Sequence, residues 1–328
     1  MKLGKVPESI LKRSVLDQIK HRRDEVLVGP AIGEDCSVLS LKEDEVLVIS
    51  TDPITGTEHD IGTLAVHITA NDIASNGAEV IGIMLSVLLP EHTEENKLKT
   101  IMKDIETVCS LLNIEVMGGH TEVTKAVNQP IITVTGIGKM KRSELIKTAG
   151  AKPGQEIVMS KWAGLEGTAI IAKAKEEELL SRYSASFIDG AKRMIDFISV
   201  LPDSRIARKV GVTSMHDVTE GGIFGALWEI GYAAGVGLEV DLKKILIKQE
   251  TVEICEFFNI NPYKLISSGC MLMVTDKANL LVESLLAEGI PAAVIGRITE
   301  GSDRIICNGD EIRYLEPPKS DELYKVLA

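Results

Sequence analysis

Two runs of alternating strand-like and helix-like segments, parted by one polar stretch, constrain what this chain can fold into. Val26–Val28, Ser37–Leu41 and Val46–Ser50 read as short strands, and Ile61–Asn76 reads as a helix with Asp60 as its N-cap. Val80–Leu89 is a long apolar strand ended by Pro90. Leu98, Ile101, Met102, Ile105, Val108, Cys109 and Leu112 then recur at helical spacing, which puts Cys109 on a core face. Glu115–Met117 and Ile131–Gly138 are further strands. KMKRSELIKTAGAKPGQE has no apolar period and carries Gly and Pro, so it marks a boundary near residues 139–155. Beyond it the alternation resumes, from strand Ile157–Ser160 and helix Leu165–Ala174 to a terminal hairpin of Arg304–Cys307 and Glu311–Leu315 turning at Asn308-Gly309. A chain of 328 residues exceeds one typical core, so two α+β halves are expected.

The composition narrows the partners. A net charge of −12 argues against nucleic acid and anionic membranes, both of which want basic patches. No apolar run approaches the ~18–20 residues of a membrane-spanning helix. The N-terminus has no apolar stretch of the kind a signal peptide needs. The five cysteines are scattered with no CxxC pair, which disfavours a zinc ribbon and fits a reducing cytoplasm.

Three acidic stations stand out: Glu34-Asp35 after Gly33, Asp52 at the end of a strand, and Asn71-Asp72 within the first long helix. Ala65, Ile68 and Asp72 share a helix face, so Asp72 is expected on the buried side. Such carboxylates fit two readings: solvated loop ends, or oxygen ligands around Mg²⁺ and a nucleotide phosphate. Gly118-Gly119-His120-Thr121 reads as a turn whose amides could approach an anion, or as a plain tight turn. Met215–Gly222 reads as a loop before a helix, with Gly221 and Gly222 as an anion-friendly terminus, or as a capped helix entry. Asp217 within it could bind metal or orient substrate. GxxxxGK[ST] and GxGxxG are both absent, so a nucleotide would be held by another device.

These blocks carry a resemblance. GPAIGEDCSVL, STDPITGT, NDIASNGAEV, GGHTEV and MHDVTEGGI occur in the order expected of the aminoimidazole-ribonucleotide synthetase superfamily, across nearly the whole chain. Among its members the chain looks most like HypE and HypE-like hydrogenase maturation factors. The resemblance implies a two-domain α/β (α+β) PurM-like fold. Residues 1–145 would form an ATP- and Mg²⁺-binding domain whose strands make a barrel across a homodimer, and residues 146–328 a C-terminal α/β domain. It implies Asp35, Asp52 and Asp72 as metal–phosphate acids, with Asp35, Asp72 and Asp217 catalytic. Glu34, Asn71, Gly118, Gly119, His120, Thr121, Gly221 and Gly222 would contact the cofactor. His120 stands where many relatives carry an acid.

The implied chemistry is phosphoryl transfer from ATP to an amide-type or related oxygen, as in carbamoyl dehydration. The acceptor would be a small molecule or protein-borne, with other maturation proteins as partners. A cyclo-ligase, a small-molecule kinase and a non-catalytic nucleotide-binding partner are the alternatives. HypE uses a terminal cysteine as acceptor, whereas the last cysteine here is Cys307, twenty-one residues before Ala328.

Overall fold

The computed structural model describes residues 4–5, 8–30, 38–55 and 60–327. The chain divides into two compact units. One holds residues up to 74 and 78–145, and the other holds 75–77 and 146 onward.

Unit 1 runs β1 (Gly4–Lys5), α1 (Glu8–Ser14), β2 (Val26–Val28), β3 (Val38–Leu39), β4 (Glu45–Ile54), α2 (Ile61–Ser75), β5 (Glu79–Leu89), α3 (Glu95–Leu112), β6 (Glu115–Val123) and β7 (Ile131–Lys141). Five strands form one sheet in the order β1-β6-β5-β7-β4, and β2 pairs with β3 apart from it. β5 and β6 are parallel, which requires a crossover, and α3 supplies it. The apolar stripe of α3, from Leu98 to Cys109, is buried as its spacing predicts, and Asn113 ends the helix in a left-handed conformation. Burial pushes the Cys109 thiol well up, so it is an inert core group.

The Gly-Gly-His-Thr turn expected after β6 is not a turn. Gly118 to Thr121 lie inside β6, paired with Met84 to Val87 of β5. Two glycines signal a turn locally, but the pairing with β5 keeps the backbone extended. Met117 is the extra residue of a bulge at this point, since Val116 and Gly118 face the consecutive Ile83 and Met84. Glycine is required at 119: its φ is +149°, and an added Cβ would lie 2.0 Å from the Leu85 carbonyl oxygen.

Unit 2 runs β8 (Glu156–Ser160), α4 (Leu165–Ala174), α5 (Glu176–Leu179), α6 (Ala185–Lys192), α7 (Leu201–Val210), β9 (Ser214–Asp217), α8 (Gly222–Ala234), β10 (Gly237–Asp241), α9 (Gln249–Phe257), β11 (Met271–Thr275), α10 (Ala278–Ala287), β12 (Ala292–Thr299), β13 (Arg304–Asn308), β14 (Glu311–Tyr314) and α11 (Tyr324–Leu327). Seven strands form a mixed sheet in the order β14-β13-β10-β12-β8-β11-β9. Ile223, Ala226, Leu227 and Ile230 of α8 pack with Ile157, Leu238, Leu272 and Ile295 of the strands. A second core joins α4, α6 and α9 with Leu323 and Val326 near the end of the chain.

The expected terminal hairpin is β13–β14, with Gly309 and Asp310 between its closing pair. Every Phe, Tyr and Trp of the protein belongs to unit 2, from Trp162 to Tyr324. Trp162 meets Phe197 edge-to-face, and Trp228 stacks on Tyr232 at 4.8 Å. Among the described residues, no helix is long and apolar enough to cross a membrane.

Candidate functional site

In unit 1 the strand period brings two of the acidic stations together. Along β4, Val46, Val48, Ser50 and Asp52 are half-buried, while Leu47, Ile49, Thr51 and Pro53 are exposed on the other side. α2 lies close to this sheet because β7 carries glycine opposite it. A Cβ on Gly136, the register partner of Ser50, would lie 2.5 Å from Thr69 Cγ2, and one on Gly138 would lie 2.3 Å from Ile73 Cγ2. Nearly all of α2 is buried; Thr63, Ile68 and Asp72 are the exceptions. Asp72 therefore projects from the half-exposed stripe, not from the buried side expected. The cause is that apolar residues surround the rest of this helix. From there its Oδ2 accepts the Ser50 hydroxyl at 2.5 Å, and the same hydroxyl lies 3.2 Å from Asp52 Oδ2.

Two carboxylates and a hydroxyl make an all-oxygen, half-exposed donor set, which fits Mg²⁺ in its usual form of a few carboxylates completed by water and phosphate oxygens. Asn71, the neighbour of Asp72, is fully buried. Glu34 and Asp35 lie outside the described residues. Among the described residues, no group of three His, Cys, Asp or Glu side chains is gathered for a metal.

The glycine segment of β6 is brought elsewhere. Asp52 shares a row with Val134, Leu85 and Gly119, whereas His120 falls in the next row with Pro53, Thr133 and Ser86. Period-two alternation thus turns the His120 side chain to the opposite face of the sheet from Asp52. There its Nε2 is 3.1 Å from Glu122 Oε2. Gly118, Gly119, His120 and Thr121 all line a cavity of about 400 Å³, walled also by Leu11, Val15, Met84 and Met102. That volume is in the range of small-molecule sites.

In unit 2 the expected Met215–Gly222 loop begins as strand. Asp217 ends β9 opposite Met271, whose other neighbour is Ser160 of β8, so both polar residues stand at one end of the sheet. Asp217 is buried, and His216 Nε2 lies 2.8 Å from Glu229 Oε2. Gly221 and Gly222 have φ of +82° and +61°. An added Cβ on Gly222 would lie 2.7 Å from the carbonyl oxygens of Tyr263 and Leu265. The anion-friendly terminus expected here already has an anion: the Gly221 N–H donates to Asp321 Oδ2 at 2.8 Å. Reading the sequence missed this residue, because nothing local in KSDELYK marks an aspartate that reaches back 100 positions.

Glu166 was also missed. It is buried in α4, and burial is the main reason its carboxyl is pushed up to about 7; Asp321 and Glu220 add to this, and Ser268 beside it works the other way. A carboxyl with a raised folded pKa adds stability that is fully present below its unfolded value and lost as pH rises through about 7. Glu166→Gln keeps the shape of the neutral form at every pH. It is expected to exceed the wild type by about 3 kcal/mol at pH 8 and to match it at pH ~4, below the ordinary carboxyl value. Urea denaturation at the two pH values checks this, and a gap that does not change with pH counts against it.

The comparisons with known proteins bear on this geometry. The family model for the AIR synthase related protein N-terminal domain matches residues 33–140, and that for the C-terminal domain matches 152–308. The chain belongs to the AIR synthase related family. Within it the chain is HypE-like. It is 27% identical over 311 residues to a putative hydrogenase expression/formation protein of Methanocaldococcus jannaschii, covering 92% of this chain and 90% of that one. It is 28% identical over 284 residues to the carbamoyl dehydratase HypE of Cupriavidus necator, covering 82% and 77%. A solved structure of the hydrogenase maturation protein HypE in complex with ATP superposes with a TM-score of 0.82 at 20% identity, over 98% of this chain and 97% of that one. This likeness shows the two-domain PurM-like fold.

Proposed function

We propose that this HypE-like protein is an ATP- and Mg²⁺-dependent enzyme that phosphorylates an amide-type or related oxygen acceptor, in the manner of carbamoyl dehydration. The observation that carries the reading is the convergence of Asp52 and Asp72 on the Ser50 hydroxyl in a chain matched by both family domains. Mg²⁺, when bound, offsets charge on the transferring phosphate. The chain's own residues do the positioning. Ser50 donates to Asp72 and orients its carboxylate, Asp52 and Asp72 present oxygen donors from a rigid strand and helix, and Asp35 is the third acid of the set. Gly118 and Gly119 serve the cofactor from the cavity they line, the His120 side chain standing on the sheet face opposite Asp52, and Asp217 with the Gly222 region serves the substrate, the Gly221 amide being held by Asp321. ATP in the solved HypE complex supports ATP as the nucleotide here.

In this reading residues 1–145 are the ATP-binding and dimerisation domain and 146–328 the C-terminal domain. The protein works in the cytoplasm, with hydrogenase maturation proteins as partners. Cys307 sits in β13 between Asp241 and Ile312, a place that favours a structural role and an acceptor supplied from elsewhere.

Calorimetric titration with ATP, with and without Mg²⁺, followed by phosphate release on the same sample, tests the proposal. Mg²⁺-dependent binding with slow release is expected. Binding without release supports a nucleotide-binding maturation partner instead, and no binding overturns the nucleotide reading.

The homodimer has its own support. Leu47 and Ile49 of β4 are 43% and 60% exposed on the sheet face away from α2, with Ile49 in register with Ile137 of β7 and Leu47 with Lys139. An exposed apolar row of this kind marks an interaction surface. Light scattering is expected to give a dimer at micromolar concentration and a monomer for Ile49→Asp. A wild-type monomer counts against the interface.

A further inference from the structure

We propose that Asp321 is a positioning residue for the Asp217–Gly222 segment: it acts as an internal anion at the entrance of α8 and fixes the loop on which substrate is held. The inference rests on the reading above, in which this loop serves the substrate.

The Asp321 carboxylate is 2% exposed and accepts three backbone N–H groups from three parts of the chain. Oδ2 takes Gly221 at 2.8 Å, and Oδ1 takes Leu323 at 2.8 Å and Ile266 at 3.2 Å. The Ile266 contact reaches the segment that leads into β11. One residue on, the Ser267 hydroxyl oxygen accepts the Gly164 N–H at 2.6 Å, at the start of α4. A single carboxylate therefore ties the entrance of α8 to the segment that leads into β11, and Ser267 extends the tie to α4.

Burying this charge is costly, more so with Glu166 and Glu220 nearby, and charge-assisted bonds to amides at a helix entrance offset the cost. The tail that carries Asp321 is itself fastened. Leu323 and Val326 belong to the core of α4, α6 and α9. The Tyr324 hydroxyl donates to Glu220 Oε1 at 2.6 Å, and the Asn261 N–H donates to Glu322 Oε2 at 3.2 Å. Pro318 packs where a side chain on Gly221 would stand, 3.1 Å from its Cβ position. Asp321 thus takes the Gly221 amide that a ligand phosphate would otherwise use. The anion-binding capacity of this loop is spent on its own order, which leaves Asp217 and the Gly222 region for the substrate.

Hydrogen exchange on the full chain tests the staple without any nucleotide. In Asp321→Asn, which keeps an acceptor for Leu323 and Ile266 and loses the one for Gly221, residues 215–222 are expected to exchange about tenfold faster or more, while residues 323–327 keep their protection. In Asp321→Ala both segments exchange faster, and added formate restores protection at 215–222, as a packing defect would not permit. Wild-type exchange at 215–222 in Asp321→Asn overturns the proposal, and so does a failure of formate to restore it in a folded Asp321→Ala. In turnover assays Asp321→Asn is expected to lower kcat about tenfold while the Kd for Mg-ATP stays within about twofold; equal losses in both indicate general collapse and overturn the positioning role. If the wild type neither binds nor hydrolyses ATP, the functional reading fails and the exchange result still decides the staple.

Discussion

Asp72→Asn is expected to weaken Mg²⁺-dependent ATP binding by about a hundredfold or more and to leave the fold intact. The substitution keeps the size of the side chain and an oxygen that can accept the Ser50 hydroxyl, so the hydrogen bond seen at 2.5 Å has a substitute. The position is half-exposed, and no buried charge is stranded. What disappears is the negative charge that a hard cation needs. Groups that merely orient a metal ligand are worth about 10–100-fold in metal affinity, so losing a ligand itself belongs at or above the top of that range. Calorimetry with and without Mg²⁺ reads the effect, and circular dichroism reads the fold. Unchanged ATP affinity in a folded variant removes Asp72 from the site.

The second large effect is on stability. Gly119→Ala is expected to cost about 3–5 kcal/mol, at the severe end for one methyl group. Two penalties combine. The φ of +149° strains any residue with a side chain, and the new Cβ would overlap the Leu85 carbonyl at 2.0 Å, an atom of the neighbouring strand that cannot turn aside. Either the β5–β6 pair separates locally or the bulge at Met117 is lost. Gly154→Ala is the control. Its φ is also positive, at +91°, but nothing lies within 4 Å of the added Cβ, so about 1 kcal/mol is expected. Urea denaturation of both variants separates strain from overlap. Equal losses count against the close approach of the Leu85 carbonyl to Gly119.

Where one element carries its own signal, the sequence reading held. The stripe of α3 is legible because six apolar residues at helical spacing have one consistent inward face. Strand β4 is legible from its apolar run, and with it the placement of Asp52 near its end. Asp72 was legible as a residue of the first long helix but not in its direction. With apolar residues on every side, α2 has almost no amphipathic contrast, so helical spacing could not say which stripe faces out. Gly118 and Gly119 misled for a different reason. A glycine pair signals a turn by its own flexibility, and the strand that overrides this lies some thirty positions earlier in the chain. Alternation along β6 could still have warned that His120 and the row of Asp52 point apart. Asp321 lay beyond any local rule, since only Leu323 is a near neighbour and its other two partners come from positions 221 and 266.

The segregation of all aromatic residues in unit 2 decides what light can report. Ultraviolet absorbance near 280 nm and tryptophan emission both arise from the unit that contains Trp162 and Trp228. An unfolding curve followed by emission tracks that unit alone, and the unit carrying Asp52 and Asp72 melts unseen. The same silence is useful. One tryptophan introduced among the half-exposed positions of β4, in a variant whose two native tryptophans are replaced by phenylalanine, would be the sole indole in the molecule. Its emission would report on the acidic site against a dark background.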